Sequence, residues 1–407
     1  MARQFNFTLA SARDLPRVIW VLGCGSLLMD ASSELIHCLL PAFMASTLGA
    51  SILTIGLVEG IGEATAAITK LFSGTISDFF GKRKFLVVLG YGAAALTKPV
   101  FPLARSIHWV LAARFLDRVG KGIRGAPRDA LIADITPAHL TGAAYGLRQA
   151  LDSVGAVVGP LSAFFFMGLF ENDIRAVLWI AVVPALIAFT LFALGVTEPE
   201  GLVRDRVVTG VKRGFDVQRL AFRYWIIVGL GALFTLARFS QAFLLLRAQD
   251  VGLSIGYVPL VMIVMNIVFA VGAYPAGIAA DHGSRQWLLV AGLAALILAD
   301  LALAGARTPV PVFVGAAFWG LHFGLTEGVF AKIVADEAPA ELRGTAFGIF
   351  NFVTGLALLA ASILAGALWT TMGPVATFIA GAVFAGFTMV GVVGCGFKGQ
   401  AAKDNSI

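Results

Sequence analysis

Five acidic or histidine side chains lie within the first two long apolar stretches of the chain. Asp30, Glu34 and His37 are separated by four and three residues, and Glu59 and Glu63 are separated by four. Intervals of three and four residues place side chains on the same face of a helix. Several carboxyls in one apolar interior are costly to ionise together, so we expect some of them to bind and release protons. The proton-binding candidates are Asp30, Glu34, Glu59 and Glu63.

Basic residues recur at helical intervals between Ala113 and Asp134. A helix turns by about 100° per residue, which gathers these charges on one side and leaves Phe115, Leu116 and Val119 on the other. Because a charge that faces lipid costs several kcal/mol, we expect the charged side to face the protein interior or a water-filled pathway. We call this side the charged stripe, which comprises Arg114, Asp117, Arg118, Lys121, Arg124 and Arg128.

Two interpretations of the charged stripe remain open. Arg114, Arg118 and Lys121 would either form static ion pairs with the acids or meet an anionic group of a ligand, since arginine offers a planar fork to carboxylate or phosphate. Arg128 lies nearer the end of the run, and we expect it to reach toward lipid headgroups. Pro127 predicts that the helix kinks or ends close to this point.

The composition is typical of a protein that crosses a lipid bilayer several times. The chain has 407 residues, of which 58% are hydrophobic and only 13% are charged, and its mean hydropathy is +0.88. A soluble domain has roughly one quarter charged residues. The net charge of +6 comes mostly from short segments between apolar runs, which indicates topology and not nucleic-acid binding. Cys24, Cys38 and Cys395 lack the spacing of a metal or redox site, so we expect no metal and no cofactor.

Twelve apolar runs have the length of about 20 residues that a helix needs to cross a bilayer. They cover 18–45, 51–73, 85–104, 108–131, 142–170, 174–196, 223–247, 254–279, 287–305, 310–334, 344–370 and 374–396. Lysine and arginine are concentrated in the segments that share a side with both termini, so the positive-inside rule places both termini in the cytoplasm. We therefore predict an all-α integral membrane protein with twelve transmembrane helices in two six-helix halves.

The second half of the sequence repeats the first. The segment from Ala133 to Gly146 aligns with the segment from Ala335 to Gly348, at an offset of about 202 residues. Parallel duplication of this kind is typical of secondary transporters that alternate around a site at the middle of the membrane. The repeat predicts a cytoplasmic tail, a first half, a basic cytoplasmic linker, a second half and a final tail, with the boundaries 1–17, 18–196, 197–222, 223–396 and 397–407.

Three motifs in this sequence resemble those of the major facilitator superfamily. The loop after the second apolar run and its copy in the second half resemble the family's signature loop, which implies a conformational gate; a purely topological basic loop is the alternative. The glycine-rich run after Arg118 resembles a fourth-span motif, and the fifth run resembles a motif of antiporters, for which close helix packing is the alternative. The gate motif comprises Gly74, Asp78, Gly81, Arg83, Gly277, Asp281 and Arg285, and the fifth-span motif comprises Gly155, Gly159 and Pro160.

The second half holds fewer charges in its apolar runs. Glu327 has no charged residue four positions further on, and we regard it as another proton-binding candidate. For His322 a structural hydrogen bond is the preferred interpretation. The candidates for a substrate pathway are Arg114, Asp117, Arg118, Lys121, Arg124, Arg238, Gln241, Asn266 and His322.

The resemblance and the acids together predict a secondary transporter that moves a small organic solute by alternating access, coupled to protons. The fifth-span motif favours export by proton antiport. The charged stripe favours the alternative, proton-coupled uptake of an anionic solute such as a siderophore or a carboxylate. A sensor or lipid-handling protein without coupled flux is the alternative of another class.

Other functions are not expected from this sequence. It lacks a phosphate-binding GxxxxGK[ST] run and a plausible spacing of nucleophile, base and orienting group, so we expect neither ATP hydrolysis nor enzyme activity. We expect a monomer in a bacterial inner membrane, with the lipid bilayer, protons and a small-molecule substrate as its partners.

Overall fold

The structure is a computed structural model that describes residues 14–80, 83–137, 140–196, 220–282, 285–339 and 342–395. These ranges are predominantly α-helical. The predicted tails and linker fall largely outside them, since residues 1–13, 197–219 and 396–407 are not among those described.

Eight α-helices make up the described part of the first half. They are α1 (Arg17–Ala42), α2 (Ile52–Phe80), α3 (Arg83–Thr97), α4 (Val100–Leu103), α5 (Ile107–Ile135), α6 (Thr141–Leu169), α7 (Ile174–Ile180) and α8 (Val182–Gly195). A π-helical turn, Phe43–Thr47, extends α1, while α4 continues the span of α3 and α8 continues that of α7. Asp173 caps α7, because its side chain accepts a hydrogen bond from the backbone N–H of Arg175 at 2.9 Å.

Seven α-helices make up the described part of the second half. They are α9 (Phe222–Ala237), α10 (Ala242–Asp250), α11 (Pro259–His282), α12 (Arg285–Ala304), α13 (Pro309–Glu337), α14 (Arg343–Met372) and α15 (Pro374–Cys395). Proline begins three of these helices, at a position where its missing N–H would have no helical partner. The helices α9 and α10 form one span that leaves the helical conformation between Arg238 and Gln241. We call residues 238–241 the α9–α10 break.

The structure confirms the predicted all-helical membrane fold. Within the described ranges, eleven segments are long and apolar enough to cross a membrane. The remaining predicted span is α5. It has 29 residues, the same length as α6, but it carries the charged stripe. Of the two expectations for Pro127, a kink or the end of the helix, the second is wrong, because α5 continues past the proline to Ile135.

The two halves repeat at the level of their helices. Both α5 and α13 have 29 residues, and their first residues, Ile107 and Pro309, are 202 positions apart. The first residues of α3 and α12 differ by the same 202 positions, and so do those of α6 and α14. The repeat that the sequence shows around Ala133 and Ala335 therefore extends to the helix boundaries.

The two halves meet at one end of the molecule and separate toward the other. At the end where α1 finishes and α2 begins, one apolar core joins both halves, and Leu40, Phe43 and Phe243 are fully buried in it. We call this end the closed face. At the opposite end, where α2 finishes and α3 begins, a separate apolar cluster consists of first-half residues alone. We call that end the open face.

The helices α2 and α14 pack against each other across the boundary between the halves. A Cβ atom added at Gly56 would lie 2.4 Å from the carbonyl oxygen of Ser362, and one at Gly355 would lie 2.8 Å from Cβ of Ala67. Only glycine permits such close approach of two helices. The acids of α2 are consequently held at the boundary between the two halves.

Candidate functional site

A cavity of about 490 Å³ lies between the two halves, on the open-face side of the shared core. Its walls come from α2 and α5 of the first half and from α9, α13 and α14 of the second. Pockets of this size enclose small organic molecules. The charged residues of the lining are Glu63, Lys70, Lys121, Arg238 and Glu327, and its aromatic residues are Phe234, Phe330, Phe347 and Phe350.

The acids of α2 pair with the guanidinium groups of α5. Nη2 of Arg114 lies 2.6 Å from Oε2 of Glu59 and 3.6 Å from Oε1 of Glu63. Nη2 of Arg118 lies 3.4 Å from the same Oε1 of Glu63. Glu59 is fully buried, whereas 29% of the Glu63 side chain is exposed. We call these four residues the acid–arginine cluster, and Glu63 connects it to the cavity.

Helical spacing and one glycine bring the acid–arginine cluster together. Glu59 and Glu63 are four residues apart, as are Arg114 and Arg118, so each pair lies on one face of its helix. A Cβ atom added at Gly62 would lie 3.1 Å from Cγ of Arg114 and 3.5 Å from Cγ of Arg118. The two arginines therefore cross α2 where it has no side chain.

Glu59 also has partners in α1 and in the second half. Nε2 of His37 lies 3.5 Å from Oε2 of Glu59, and Nδ1 of His37 lies 3.4 Å from Oε2 of Glu34. The hydroxyl of Ser240, in the α9–α10 break, donates to Oε2 of Glu59 at 3.4 Å. Asp30, the remaining acid of α1, forms no ion pair within the described ranges. A change in the charge of Glu59 would thus act on both halves at once.

Most of the charged stripe faces the interior of the first half. Nζ of Lys98 lies 2.9 Å from Oδ1 of Asp117, and the guanidinium of Arg124 lies over the ring of Tyr91, 4.6 Å from its centroid. The interpretation of the whole stripe as a pathway wall is corrected here, because α5 packs against both α2 and α3. Of the stripe, Lys121 is the residue that lines the cavity.

The glycine-rich run of α5 explains this burial. A Cβ atom added at Gly120 would lie 2.6 Å from the carbonyl oxygen of Gly90 in α3, and one at Gly122 would lie 2.5 Å from Cβ of Thr69 in α2. These contacts let α5 approach both neighbours more closely than larger residues would allow. The charged side chains beside the glycines then lie between helices.

Arg128 is enclosed by other side chains of the first half. Its Nη1 donates to Oγ of Ser26 at 2.5 Å and to the phenol oxygen of Tyr91 at 3.3 Å. Arg148 and Asp152, four residues apart on α6, pair at 3.2 Å, and Arg128 lies 3.9 Å from the same carboxylate. The expectation that Arg128 reaches lipid headgroups is wrong, because α5 continues beyond its proline and holds Arg128 against α1 and α3.

The two walls of the cavity differ in chemistry. Lys70 and Lys121 are exposed on the first-half wall, and neither forms an ion pair with another described residue. On the second-half wall, Arg238 lies between the rings of Phe234 and Phe323, 4.9 and 4.8 Å from their centroids. The first half offers ammonium groups to a ligand, and the second half offers mainly aromatic surface.

The other candidates of the second half are dispersed. Glu327 lines the cavity and forms no ion pair within the part of the chain that the structure describes. His322 is buried, and its Nδ1 lies 2.8 Å from the carbonyl oxygen of Gly292, which confirms a structural hydrogen bond. Nδ2 of Asn266 donates to the carbonyl oxygen of Ala156, in α6 of the first half, at 2.7 Å. His322, Asn266 and Gln241, which lies in the α9–α10 break, are not among the residues that line the cavity.

The structure describes some residues of the gate motif. Nη1 of Arg83 donates to the carbonyl oxygen of Ala130 at 2.9 Å and pairs with Asp134. Arg285 pairs with Asp336 at the equivalent place in the second half. These pairs join the start of α3 to the end of α5, and the start of α12 to the end of α13. Gly74 and Gly277 lie within α2 and α11, while Gly81 and the side chains of Asp78 and Asp281 fall outside the described part.

The fifth-span motif lies where α6 packs on α1. A Cβ atom added at Gly155 or Gly159 would lie 2.6 Å from a carbonyl oxygen of α1, that of Leu27 or Ala31 respectively. Pro160 follows within the same helix. Close packing therefore accounts for both glycines without reference to the direction of transport.

Sequence reasoning missed several partners of the predicted residues, among them Lys98, Ser240, Asp134 and Asp336. The aligned repeat contains both aspartates, and it was the signal that could have found them. Lys98 interrupts an apolar run, which is a weaker signal of the same kind. Among the described residues, no group of three histidine, cysteine, aspartate or glutamate side chains is arranged to hold a metal ion.

Comparisons with known proteins agree with this architecture. A family model described as Major Facilitator Superfamily matches residues 22–246 and 226–404. An MFS-type transporter of Methanocaldococcus jannaschii is 33% identical over 382 residues, which cover 92% of this chain and 93% of the relative. The inner membrane transport protein YajR of Escherichia coli is 24% identical over 382 residues, 91% of this chain and 81% of that protein. A crystal structure of the nucleoside transporter NupG superimposes with a TM-score of 0.75 at 14% identity, over 93% of this chain and 98% of that one, a likeness that concerns the fold.

Proposed function

Because this chain belongs to the major facilitator superfamily of transporters, we propose that it couples the movement of a small organic anion to that of protons, by alternating access across a bacterial inner membrane. One observation carries the proposal: Glu63 both lines the cavity and pairs with Arg114 and Arg118. A proton on Glu63 removes a negative charge that balances these guanidinium groups. The cavity then becomes more positive when the proton binds.

The lining of the cavity supports an anionic solute with an apolar body. Lys70 and Lys121 are exposed and without a described partner, so an incoming carboxylate or phosphate can bind them with charge-assisted hydrogen bonds. Phe330 and Phe350 on the opposite wall, with ring centroids 6.3 Å apart, provide surface for an apolar or aromatic group. Such a solute would span the cavity from one half to the other.

Linkage between the proton and the anion favours symport. If a proton on Glu63 strengthens anion binding, a bound anion must strengthen proton binding by the same factor. The two ligands would then bind together and move together, which corresponds to uptake driven by protons. Glu59 gives this event a route to the second half, since it accepts the hydrogen bond from Ser240.

The distribution of positive charge supports a cytoplasmic open face. Arg83 and Arg285 lie at that face, at the first residues of α3 and α12. In the sequence, Lys82, Lys84 and the five basic residues of 197–222 belong to the same side, whereas the other side has Arg105, Arg175, Arg247 and Arg307. At the closed face, Arg175 and Arg247 donate to the backbone carbonyl oxygens of Pro102 and Ala306, each at 2.6 Å. By the positive-inside rule, both termini and the linker are then cytoplasmic.

Export by proton antiport is the second candidate. Glu327 lines the cavity without an ion pair to any described residue, and a cationic solute would compete with protons for such a carboxylate. The fifth-span motif, through its resemblance to that of antiporters, supports the same candidate, although close packing also explains its glycines.

The test first identifies a ligand and then measures its transport. A thermal-unfolding screen of the purified protein against organic anions and lipophilic cations identifies the class that binds, since a ligand at about 100 times its Kd stabilises by about 2.7 kcal/mol. Flux of the ligand into proteoliposomes is then measured with the outside acidic. We expect Glu63→Gln and Glu59→Gln to lose proton-driven accumulation while still binding the anion.

Glu337→Gln is the matched control, because Glu337 lies outside the cavity and pairs with Arg223 at 3.3 Å. It should transport like the wild type. Wild-type accumulation by the Glu63→Gln variant would contradict the coupling role of this residue. Stabilisation by cations and outward flux against an inward proton gradient would favour the antiporter, and binding without any flux would favour a sensor.

A further inference from the structure

The helix α12 carries a buried carboxyl that the proposed transport cycle does not use. Asp300 is fully buried, near the closed-face end of its helix. Neither carboxyl oxygen has a hydrogen-bond partner among the described residues, and Asp300 forms no ion pair with any of them. Buried polar groups are normally satisfied, so each exception requires an explanation.

The carboxyl of Asp300 faces the α9–α10 break. A Cβ atom added at Gly381 of α15 would lie 2.6 Å from Oδ2 of Asp300 and 3.0 Å from Cε1 of Phe239 in the break. Because Gly381 has no side chain, it leaves a space beside the carboxyl group of Asp300. Trp319 of α13 packs against the same ring, 5.4 Å between centroids, and its Nε1 is also buried without a partner in the described part of the chain.

Among the described side chains, the helices around Asp300 offer no counter-charge that is free to reach it. The helix α15 has no acidic, basic or histidine residue along its length. On α13, His322 faces Gly292, and Glu327 lines the cavity. The helix α11 has charged or histidine residues only at its open-face end, Asp281 and His282.

The polar side chains at the ends of α10 and α15 nearest to Asp300 also bind other partners. Nε of Arg247 donates to the carbonyl oxygen of Leu303 at 3.0 Å, and Nη1 of the same side chain pairs with Asp250. The hydroxyl of Thr377, one helical turn before Gly381, donates to the carbonyl oxygen of Ala365 at 3.0 Å. Arg238, the cation of the α9–α10 break, lies between the rings of Phe234 and Phe323. Asp300 is thus left without a cation or a hydrogen-bond donor among the described residues.

We propose that Asp300 is a second proton-binding site, in the second half of the protein, and that its carboxyl carries a proton in this conformation. An ionised carboxylate in this place would have left water for an apolar site without a counter-charge, which is far more costly than burying the neutral acid. The ligand of the site is a proton. This assignment does not depend on which solute the protein moves.

The position of Asp300 also suggests when the proton leaves. The α9–α10 break contacts Glu59 through Ser240 on one side, and its Phe239 lies beside Asp300 on the other. A movement of the break that opens the closed face would admit water, and the carboxyl would pass its proton to that water. Proton binding at Asp300 therefore favours the conformation that is sealed at the closed face.

Infrared spectroscopy of the purified protein tests the protonation directly. At neutral pH we expect the carbonyl-stretch band of a protonated carboxylic acid in the wild type and its loss in Asp300→Asn, which replaces the acid by a neutral group of the same shape. Asp14→Asn, which removes an exposed carboxylate, should leave the band unchanged. Gly381→Ala places a methyl group against Oδ2 of Asp300 and should shift the band without removing it.

Identical bands in the wild type and in Asp300→Asn would overturn the proposal. So would disappearance of the band when sodium ions are added at constant pH, because the site would then hold a metal cation. If Asp300→Asn does not fold, Gly381→Ala decides, and an unshifted band overturns the assignment.

A labelling experiment tests the link between Asp300 and the conformation. In a background without native cysteines, a thiol introduced by Ala67→Cys in the cavity wall reports how far the open face is accessible. The thiolate is the reacting form of the thiol, so labelling becomes faster as the pH rises in both proteins. The rate should rise less steeply when Asp300 is present than in Asp300→Asn. Equal slopes would show that the proton on Asp300 has no influence on the conformational equilibrium.

Discussion

Removal of the Glu59 charge is expected to destabilise the protein by about 3 kcal/mol. Oε2 of Glu59 lies 2.6 Å from Nη2 of Arg114, and the two side chains are 0% and 2% exposed. Breaking a buried ion pair costs about 3–5 kcal/mol, because the remaining charge stays buried without compensation. The lower end applies to Glu59→Gln, since Glu63 remains 3.6 Å from Arg114.

A double-mutant cycle separates this pair from its surroundings. Glu59→Gln with Arg114→Met removes both charges and should recover most of the loss, giving a coupling energy of about 2 kcal/mol or more between the two positions. Reversible unfolding in detergent, followed by circular dichroism, measures each free energy of unfolding. Glu337→Gln serves as the control and should cost less than about 1 kcal/mol, because its partner Arg223 has a side chain that is 52% exposed.

Two results would refute this reasoning. One is a loss below about 1 kcal/mol for Glu59→Gln, which would mean that Arg114 is well solvated or has another partner. The other is additivity of the two substitutions within about 0.5 kcal/mol, which would mean that the two groups act independently.

Three further predictions concern the cavity, the fifth span and the gate. Lys121→Met should raise the Kd of an anionic ligand about tenfold or more, since a hydrogen bond to a charged group contributes about 1.5–3 kcal/mol, whereas Lys84→Met, outside the cavity, should leave the Kd unchanged in the same calorimetric titration. Gly159→Ala should lower stability by about 1–3 kcal/mol, because its Cβ would lie 2.6 Å from a backbone oxygen of α1, while Gly146→Ala, with nothing within 4 Å of its Cβ, should be nearly neutral in thermal unfolding. Arg285→Ala should slow flux in proteoliposomes more than it weakens binding, because Arg285 joins two helices at the open face and lies outside the cavity; an equal loss of both would contradict a gating role.

The helices were predictable because length and apolarity act locally. The twelve apolar runs and the repeat gave the number and order of the membrane spans, and the start of α13 follows from that of α5 by the offset of 202 residues. The end of α5 was not predictable, because Pro127 favours a break when it is considered alone. Packing of α5 between α2 and α3 outweighs that local preference.

Contacts within the site were predictable only where two helices carry charges of opposite sign at the same interval along the sequence. The spacing of four residues on α2 and α5 left ion pairs of Glu59 and Glu63 with Arg114 or Arg118 as one of two interpretations, and the structure contains these pairs. Which side of the charged stripe faces the cavity depends on how closely α5 approaches its neighbours, and that distance is set by glycines on all three helices. Contacts that cross the halves, such as the one from Ser240 to Glu59, depend on the arrangement of both halves and have no local signal.

The linkage between proton binding at Glu63 and anion binding in the cavity is the core of the proposed transport cycle. Its most direct test is the Kd of the anionic ligand from the thermal-unfolding screen, measured by calorimetry at an acidic and an alkaline pH in the wild type and in Glu63→Gln. We expect tighter binding at acidic pH with proton uptake in the wild type, and tight binding that depends little on pH in the variant. Weaker binding at acidic pH in the wild type, with protons released as the ligand binds, would contradict this linkage.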